Sequence, residues 1–335
     1  MTTVNYPKQL IDNFGRTVDY VRLSITDRCD FRCVYCMAEE MVFLPKEQIL
    51  SLEEIYTLAR TFVELGVTKL RITGGEPLVR KGALELLTRI GKLQGLRELV
   101  LTTNGSQLAL HAHSLYEANV KRINISLDSL NPAKFKQLTR TGNLAQVLNG
   151  IAVAKTFAFN QIKLNAVILK GTNDDEVGDL VQFAVDNQLD IAFIEEMPLG
   201  IVDSRNRAEA FYSSSAIQED LAARFTLIAS SLTTGGPAKY WQIANTSTRV
   251  GFISPHSHNF CANCNRVRLT VEGQLLLCLG NEHAVDLKAV MRANPDDSDL
   301  LKQTIIAAMQ IKPERHEFNL QEKPIILRYM NMTGG

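Results

Sequence analysis

Six short runs rich in Val, Ile and Leu recur through the first two thirds of the chain. They are Tyr20–Ile25, Lys69–Thr73, Glu98–Thr102, Arg122–Leu127, Ile162–Leu169 and Ile191–Glu196. Apolar and polar residues alternate little within them, as expected of strands covered on both faces. Amphipathic stretches with helical character lie between the runs. Ser51, with Glu54 three residues on, has the form of a capping box. Gly142-Asn143 precedes a second helix, and Asn173 is expected to cap a third. Asp174-Asp175-Glu176 reads as an acidic helix start favoured by the macrodipole. Six β–α units in series predict a parallel sheet with right-handed crossovers. Six units are too few for a complete eight-stranded barrel. The expected fold class is therefore α/β, an open, partial (β/α)6 TIM-like barrel, with its chemistry beyond the carboxyl ends of the strands.

The pattern changes near residue 198. Pro198, Gly200, Ser213–Ser215 and Gly235-Gly236-Pro237 break it up. Residues 1–198 are expected to form the barrel core, and residues 199–335 a smaller α+β region. The chain has 335 residues and is 45% hydrophobic, enough for a large domain with a smaller appendage. Its 36 basic residues balance 36 acidic ones, so no global field points to nucleic acid or to a membrane surface. An anionic ligand must then be held by a local cluster of Arg and Lys. No long apolar run is visible, and the N-terminus lacks the order of a signal peptide, so a cytoplasmic protein is expected. Thiols stay reduced in that compartment, and cysteines there read as metal ligands before disulfides.

The six cysteines fall into two triplets, Cys29, Cys33 and Cys36, and Cys261, Cys264 and Cys278. The first is spaced C-x3-C-x2-C and follows the first predicted strand. Tetrahedral zinc and most cubane clusters take four protein ligands, and each triplet is one short. A three-thiolate cubane keeps one iron open for a substrate. A zinc knuckle would need a fourth ligand close by, and the first loop offers no further Cys or His. Gly74-Gly75-Glu76-Pro77, after the second strand, is a turn where backbone can approach a ligand closely.

Together, Cys29 to Cys36 and Gly74 to Pro77 resemble the radical S-adenosylmethionine (SAM) superfamily. Phe260-Cys261-Ala262-Asn263-Cys264-Asn265-Arg266-Val267-Arg268 with Cys278 resembles, more narrowly, the GTP 3′,8-cyclases of molybdenum cofactor biosynthesis. So do Arg71 to Pro77, Ile123 to Leu130 and Phe193 to Pro198. This resemblance implies two [4Fe–4S] clusters, each held by one triplet, and SAM on the first. It implies SAM contacts from Tyr35, Gly75, Ser126 and Met197, and a GTP site built from Arg22, Arg71, Thr102, Lys163, Arg266, Val267 and Arg268. It further implies a radical cleavage of SAM that takes hydrogen from C3′ of GTP and joins C3′ to C8. The partners it implies are a flavodoxin- or ferredoxin-type reductant and a downstream cyclic pyranopterin monophosphate synthase. A homodimer is compatible with it. The family's terminal Gly-Gly tail, here Gly334-Gly335, would reach into the active site.

Independently of the resemblance, Arg22, Arg71 and Lys163 sit mid-strand in apolar surroundings, where a cation is costly unless an anion meets it. The bland alternative is internal pairing with Asp or Glu on adjacent strands. Asp30, where the family often carries Asn, is expected to face solvent and to lower the potential of the first cluster slightly. His256 and His258 read as loop residues and Trp241 as core. The rival function is another dual-cluster radical SAM enzyme acting on a peptide, and a zinc-stapled nucleotide-binding module is a second rival.

Overall fold

The computed structural model describes residues 6–200, 206–295, 297–319 and 326–334. The six predicted strands all form: β1 (Tyr20–Ser24), β2 (Lys69–Thr73), β3 (Glu98–Thr103), β4 (Val120–Ser126), β5 (Gln161–Val167) and β6 (Asp190–Ile194). They pair in parallel and in chain order. Each step to the next strand carries helix, including Leu52–Glu64, Ala83–Ile90, Leu108–Glu117, Leu144–Ala154 and Val177–Asp186. The first of these begins with the complete Ser51/Glu54 capping box, and Asn143 caps the helix at Leu144 through its side chain. Asn173 makes no side-chain cap. Its amide instead donates to the carbonyls of Asp128 and Val167, and its oxygen accepts from Leu169 N–H. Bonds to neighbouring loops thus take the place of the expected cap.

The C-terminal strands build no separate sheet. They are β7 (Leu227–Ala229), β8 (Lys239–Ile243), β9 (Arg249–Ile253), β10 (Arg266–Leu269), β11 (Gln274–Leu276) and β12 (Ala284–Asp286). Among the described residues they extend the six-stranded core at both edges. The result is one twelve-stranded sheet of order β12-β11-β10-β1-β2-β3-β4-β5-β6-β9-β8-β7. β9 adds to β6 and β10 adds to β1, both in parallel, and the outermost pairs are antiparallel. The chain therefore returns, after more than two hundred residues, to lie beside its own first strand. Val21, Leu23, Leu70, Ile72, Val267 and Leu269 pack on one face of these adjoining strands and join the main core. Trp241 meets Phe252 edge-on at 5.1 Å and packs against that core, as expected. Among the described residues no helix is long and apolar enough to cross a membrane.

The join between β6 and the C-terminal region is held by one carboxylate. Glu195, 1% exposed, accepts from the backbone of Ser214, His256 and Ser257 at 3.0, 3.0 and 3.1 Å, and from the Ser257 hydroxyl. His256 therefore serves the loop, its Nε2 lying 2.9 Å from the Glu196 carbonyl. Burial alone would raise the Glu195 pKa, but the hydrogen bonds from Ser257, Ser214 and His256 bring it below the usual value. Its contribution is present above the ordinary glutamate range and is lost as pH falls through the folded-state value. Glu195→Ala should cost on the order of 3 kcal/mol near neutral pH, because several buried donors lose their acceptor. Unfolding followed by circular dichroism should show the gap to wild type closing in acid. A gap unaffected by pH would mean that Glu195 acts by packing alone.

Candidate active site

The first cysteine triplet occupies the loop that leaves the carboxyl end of β1. Backbone bonds from Arg32 to Thr139 and from Val34 to Leu138, both 2.9 Å, fix the loop's outer side. On its inner side it packs against Gly74-Gly75. Gly75 N–H donates to the Thr26 carbonyl at 2.7 Å, and Glu76 N–H to that of Arg28 at 2.8 Å. A Cβ at Gly75 would stand 2.3 Å from the Arg28 carbonyl oxygen. Glycine is therefore demanded by the fit of one backbone against another.

Three carboxylates surround this triplet, and each is engaged. Glu76 accepts from Leu78 N–H, Asn104 N–H and the Thr103 hydroxyl. Asp128 accepts from the Tyr35 hydroxyl at 2.6 Å and from Val167 N–H at 2.9 Å. Asp30 accepts from Asn104 Nδ2 and the Ser106 hydroxyl, both at 2.6 Å. It does not simply face solvent, as was expected, because those two donors draw it in beside Cys29. Burial raises Glu76 to about 7 and Asp128 to about 6. Burial likewise raises Cys29, Cys33 and Cys36, the last to about 12. Three buried thiols beside acidic groups become thiolates only with a cationic partner. With the hard oxygen donors already committed, the soft sulfur set fits an iron–sulfur cluster better than a hard ion. Among the described residues, no three Cys, His, Asp or Glu side chains gather as they would around a single ion.

A chamber opens on the sheet face opposite the Val21–Leu70–Val267 packing. Two rows of residues cross it in register. Arg266, Tyr20, Lys69 and Glu98 form one; Arg268, Arg22 and Arg71 form the other. The rows are two residues apart on each strand, so their side chains share a face. Arg22, Arg71, Arg266, Arg268 and Tyr20 line the chamber, as do Lys163, Asn124 and Asn165. Thr102 supports it from behind, accepting from the Arg71 guanidinium at 2.9 Å. Val267, between the two arginines of its strand, is buried in the packing on the opposite face and borders the chamber as part of the strand that forms its wall.

Like charges directly opposite across strands are destabilising. Burial lowers Arg22 to about 10, and the charges of Arg71 and Arg266 add to that. Burial with Arg22 and Arg266 nearby takes Arg268 well below its ordinary value. The alternative of internal ion pairs holds for Lys69, which meets Glu98 at 3.0 Å. Among the described residues it does not hold for Arg71 or for Lys163, which donates to the Tyr240 hydroxyl, nor for Arg266 or Arg268. Arg71 has the Tyr20 and Thr102 hydroxyls, Arg266 stacks on Phe260 at 4.7 Å, and Arg268 donates to the Thr333 and Gly334 carbonyls. Hydroxyl, aromatic and carbonyl partners leave the charges of Arg71, Arg266 and Arg268 open to an anion.

The second triplet lines the same chamber. Cys261 opens a tight turn in which Cys264 N–H returns to the Cys261 carbonyl at 3.0 Å, and Cys278 follows β11. Its surroundings are cationic where those of the first are acidic. Burial would raise Cys264, but Arg266 and Lys312 outweigh it and lower its pKa. Burial raises Cys278. His316 also lines this wall.

Met197 lies just beyond β6 and lines the chamber. Ser126 is the last residue of β4 and pairs with Asn165. Tyr35 points its hydroxyl at Asp128. Residues 330–334 touch both the loop of the first triplet and the chamber lined by the second. Met330 N–H donates to the Cys36 carbonyl at 3.3 Å, and the Asn331 amide to that of Asp27 at 2.8 Å. Gly334 reaches the chamber arginines at φ +77°, where a Cβ would lie 2.1 Å from Thr73. Gly335 lies outside the described residues.

Sequence reasoning did not single out Tyr20, Lys69, Tyr240 or Lys312. The first two were legible in principle. Tyr20-x-Arg22, Lys69-x-Arg71 and Arg266-x-Arg268 repeat one period-2 pattern on three strands that prove to be neighbours. Tyr240 accepts from Lys163 at 3.2 Å, from a strand whose place in the sheet no local pattern reveals.

Comparison with known proteins agrees with this architecture. Residues 23–184 match the Radical SAM superfamily, and residues 189–318 match Molybdenum Cofactor Synthesis C. The GTP 3′,8-cyclase of Pseudomonas entomophila (strain L48) is 62% identical over 330 residues, covering 98% of this chain and 99% of the relative. That of Pseudomonas fluorescens (strain Pf0-1) is 59% identical over 327 residues, covering 97% and 98%. Among solved structures, Streptococcus suis SuiB superposes with a TM-score of 0.61 at 14% identity, covering 86% of this chain and 67% of SuiB. That likeness speaks for the fold. Two adjoining family matches and near-full-length identity lead to one assignment: the chain belongs to the GTP 3′,8-cyclase family of radical SAM enzymes.

Proposed function

We propose that this chain converts GTP to 3′,8-cyclo-7,8-dihydro-GTP, the first step of molybdenum cofactor biosynthesis. The observation that carries the reading is the in-register block of cations facing the second cysteine triplet. Cys29, Cys33 and Cys36 would hold one [4Fe–4S] cluster, and Cys261, Cys264 and Cys278 a second. When bound, the first cluster with SAM supplies one-electron cleavage of a carbon–sulfur bond, and the second supplies an iron corner open to a nitrogen of guanine.

The chain's own residues do the positioning. Forked guanidinium groups of Arg22, Arg71, Arg266 and Arg268, with Lys163, suit the oxygens of a triphosphate. Thr102 orients Arg71, and Val267 keeps the strand between the two arginines packed. Tyr35, Gly75, Ser126 and Met197 would contact SAM at the carboxyl ends of the strands. Fixing triphosphate at one end of the chamber and guanine at the other leaves the ribose between them, so that C3′ and C8 of one nucleotide are held for bond formation. A peptide substrate would have little use for so many aligned cations.

Residues 1–198 then serve as the radical-generating core and 199–335 as the substrate-holding region. The reading also brings a flavodoxin- or ferredoxin-type reductant, a cyclic pyranopterin monophosphate synthase downstream, a cytoplasmic setting and a homodimer as a compatible assembly.

Anaerobic incubation with GTP, SAM and a strong reductant, followed by mass spectrometry, should yield 5′-deoxyadenosine together with a cyclised nucleotide. Deoxyadenosine without nucleotide turnover would point to a different substrate. Reconstituted protein should carry about eight irons per chain and no zinc, for two cubanes. Arg268→Ala should lower kcat/KM for GTP on the order of 10- to 100-fold, the worth of a hydrogen bond to a charged group. Its effect on the ligand-free fold should be small, because relief of a like-charge contact offsets the lost bonds to the Thr333 and Gly334 carbonyls. A destabilised variant with normal turnover would remove Arg268 from the substrate site.

Tyr20 adds a pH dependence. Burial alone would raise its hydroxyl, but Arg71, with Arg22, Lys69 and Arg266, lowers it to about 7. As pH rises through that value the chamber gains a negative charge, so anions should bind less well. Calorimetry with inorganic triphosphate should show affinity falling above about pH 7, by up to tenfold per unit. Tyr20→Phe should flatten that slope. An equal slope in both proteins would assign it to another group.

A further inference from the structure

Lys312 is 3% exposed, which is unusual for a lysine. Its ammonium has one hydrogen-bond partner among the described residues, the Sγ of Cys264 at 3.7 Å. No described carboxylate pairs with it. Burying an ammonium without a compensating charge is expensive, and a lysine that only filled space would be replaced by an apolar residue at no loss.

The segment that carries Lys312 is held in place by a distant part of the chain. Arg16 donates to the carbonyls of Pro313 and Glu314, both at 2.7 Å, and to the carbonyl of Cys261 at 2.8 Å. Arg16 is itself held by Asp12, which it meets at 2.6 Å through Nε. Both residues of this pair are buried. The pair sits in the hairpin Leu10–Ile11/Thr17–Val18. One guanidinium thus fastens the backbone of a cysteine to the backbone that follows Lys312. Such fastening fixes the distance between the ammonium and the thiol, a distance a free lysine would not keep.

We infer that Lys312 is a positioning residue for the second cluster: its ammonium donates to the Cys264 ligand, with Arg16 as the strap that holds it there. The inference rests on the two-cluster reading above. A donor and a full positive charge on a ligating sulfur stabilise the more reduced cluster, and hydrogen bonds to sulfur are among the levers that set cluster potentials. Among the described residues the first triplet has no cationic donor to a sulfur; Cys29 Sγ accepts from the neutral Asn104 amide at 3.7 Å. An acidic group stands there instead, Asp30 Oδ1 lying 4.0 Å from the Cys29 sulfur.

The test is a redox titration of the reconstituted full-length protein, followed by electron paramagnetic resonance. The second cluster's signal is identified as the one absent from Cys278→Ala. Lys312→Met keeps the length of the side chain and removes the charge; Lys312→Arg keeps the charge. The midpoint of the second cluster should fall in Lys312→Met and return toward wild type in Lys312→Arg, with the first cluster's midpoint unmoved. Arg16→Lys, which loses the fork, should lower the second midpoint in the same direction by a smaller amount. An unchanged midpoint in Lys312→Met, with both clusters present, overturns the inference alone. Equal loss of the second cluster from Lys312→Met and Lys312→Arg also overturns it, because packing would then be the only role. A wild-type chain that takes up a single cluster overturns the two-cluster reading, and this inference with it.

Discussion

Arginines 22, 71 and 268 stand side by side on three adjacent strands, and the row beside them adds Arg266 and Lys69. This arrangement works against folding, since each strand brings its charge to the place where the next strand's charge already is. The opposite face of the same strands compensates. Val21, Leu70 and Val267, with Leu23, Ile72 and Leu269, are almost wholly buried. The sheet is therefore held from one side by apolar packing and left charged on the other. Two tyrosines soften that charge without cancelling it. Tyr20 accepts from Arg71 and Tyr240 from Lys163. Below the Tyr20 pKa of about 7 both hydroxyls are neutral partners that a polyanion can displace, which a carboxylate could not be without leaving a buried charge behind.

The two sulfur sites differ in the sign of what surrounds them. Asp30, Glu76 and Asp128 crowd the first; Arg16, Arg266 and Lys312 crowd the second. A site that must deliver an electron to a reluctant bond gains from negative surroundings, and a site that must sit beside an anionic nucleotide gains from positive ones. One chain of balanced overall charge has thus separated its charges locally, with residues 330–334 touching both regions.

Much of this was legible in the sequence. The six core strands were placed within a few residues because double-sided burial leaves an apolar run that needs no context. The Ser51/Glu54 box and the Asn143 cap were legible because capping is local chemistry. Asn173 was misread because its side chain had loop partners to choose from, and residue type alone does not say which partner wins. The cysteines and the cations two residues apart could be listed from the chain. Their meeting could not, since it depends on β10 lying against β1, a register set by packing between segments some 245 residues apart. Lys312 was invisible for a related reason. Nothing near it in the chain marks it as buried, and its partner is brought to it by Arg16.

The pairing of β10 with β1 also bears on how the molecule comes into being. During synthesis the first strand emerges early, yet one of its two neighbours is not made until most of the polypeptide has left the ribosome. Until then an apolar edge and half of the cysteines wait without their final surroundings. Long-range parallel pairing of this kind is slow and exposes sticky surface in the interval. Completion of the surroundings of both cysteine triplets is thus tied to the closing stage of folding.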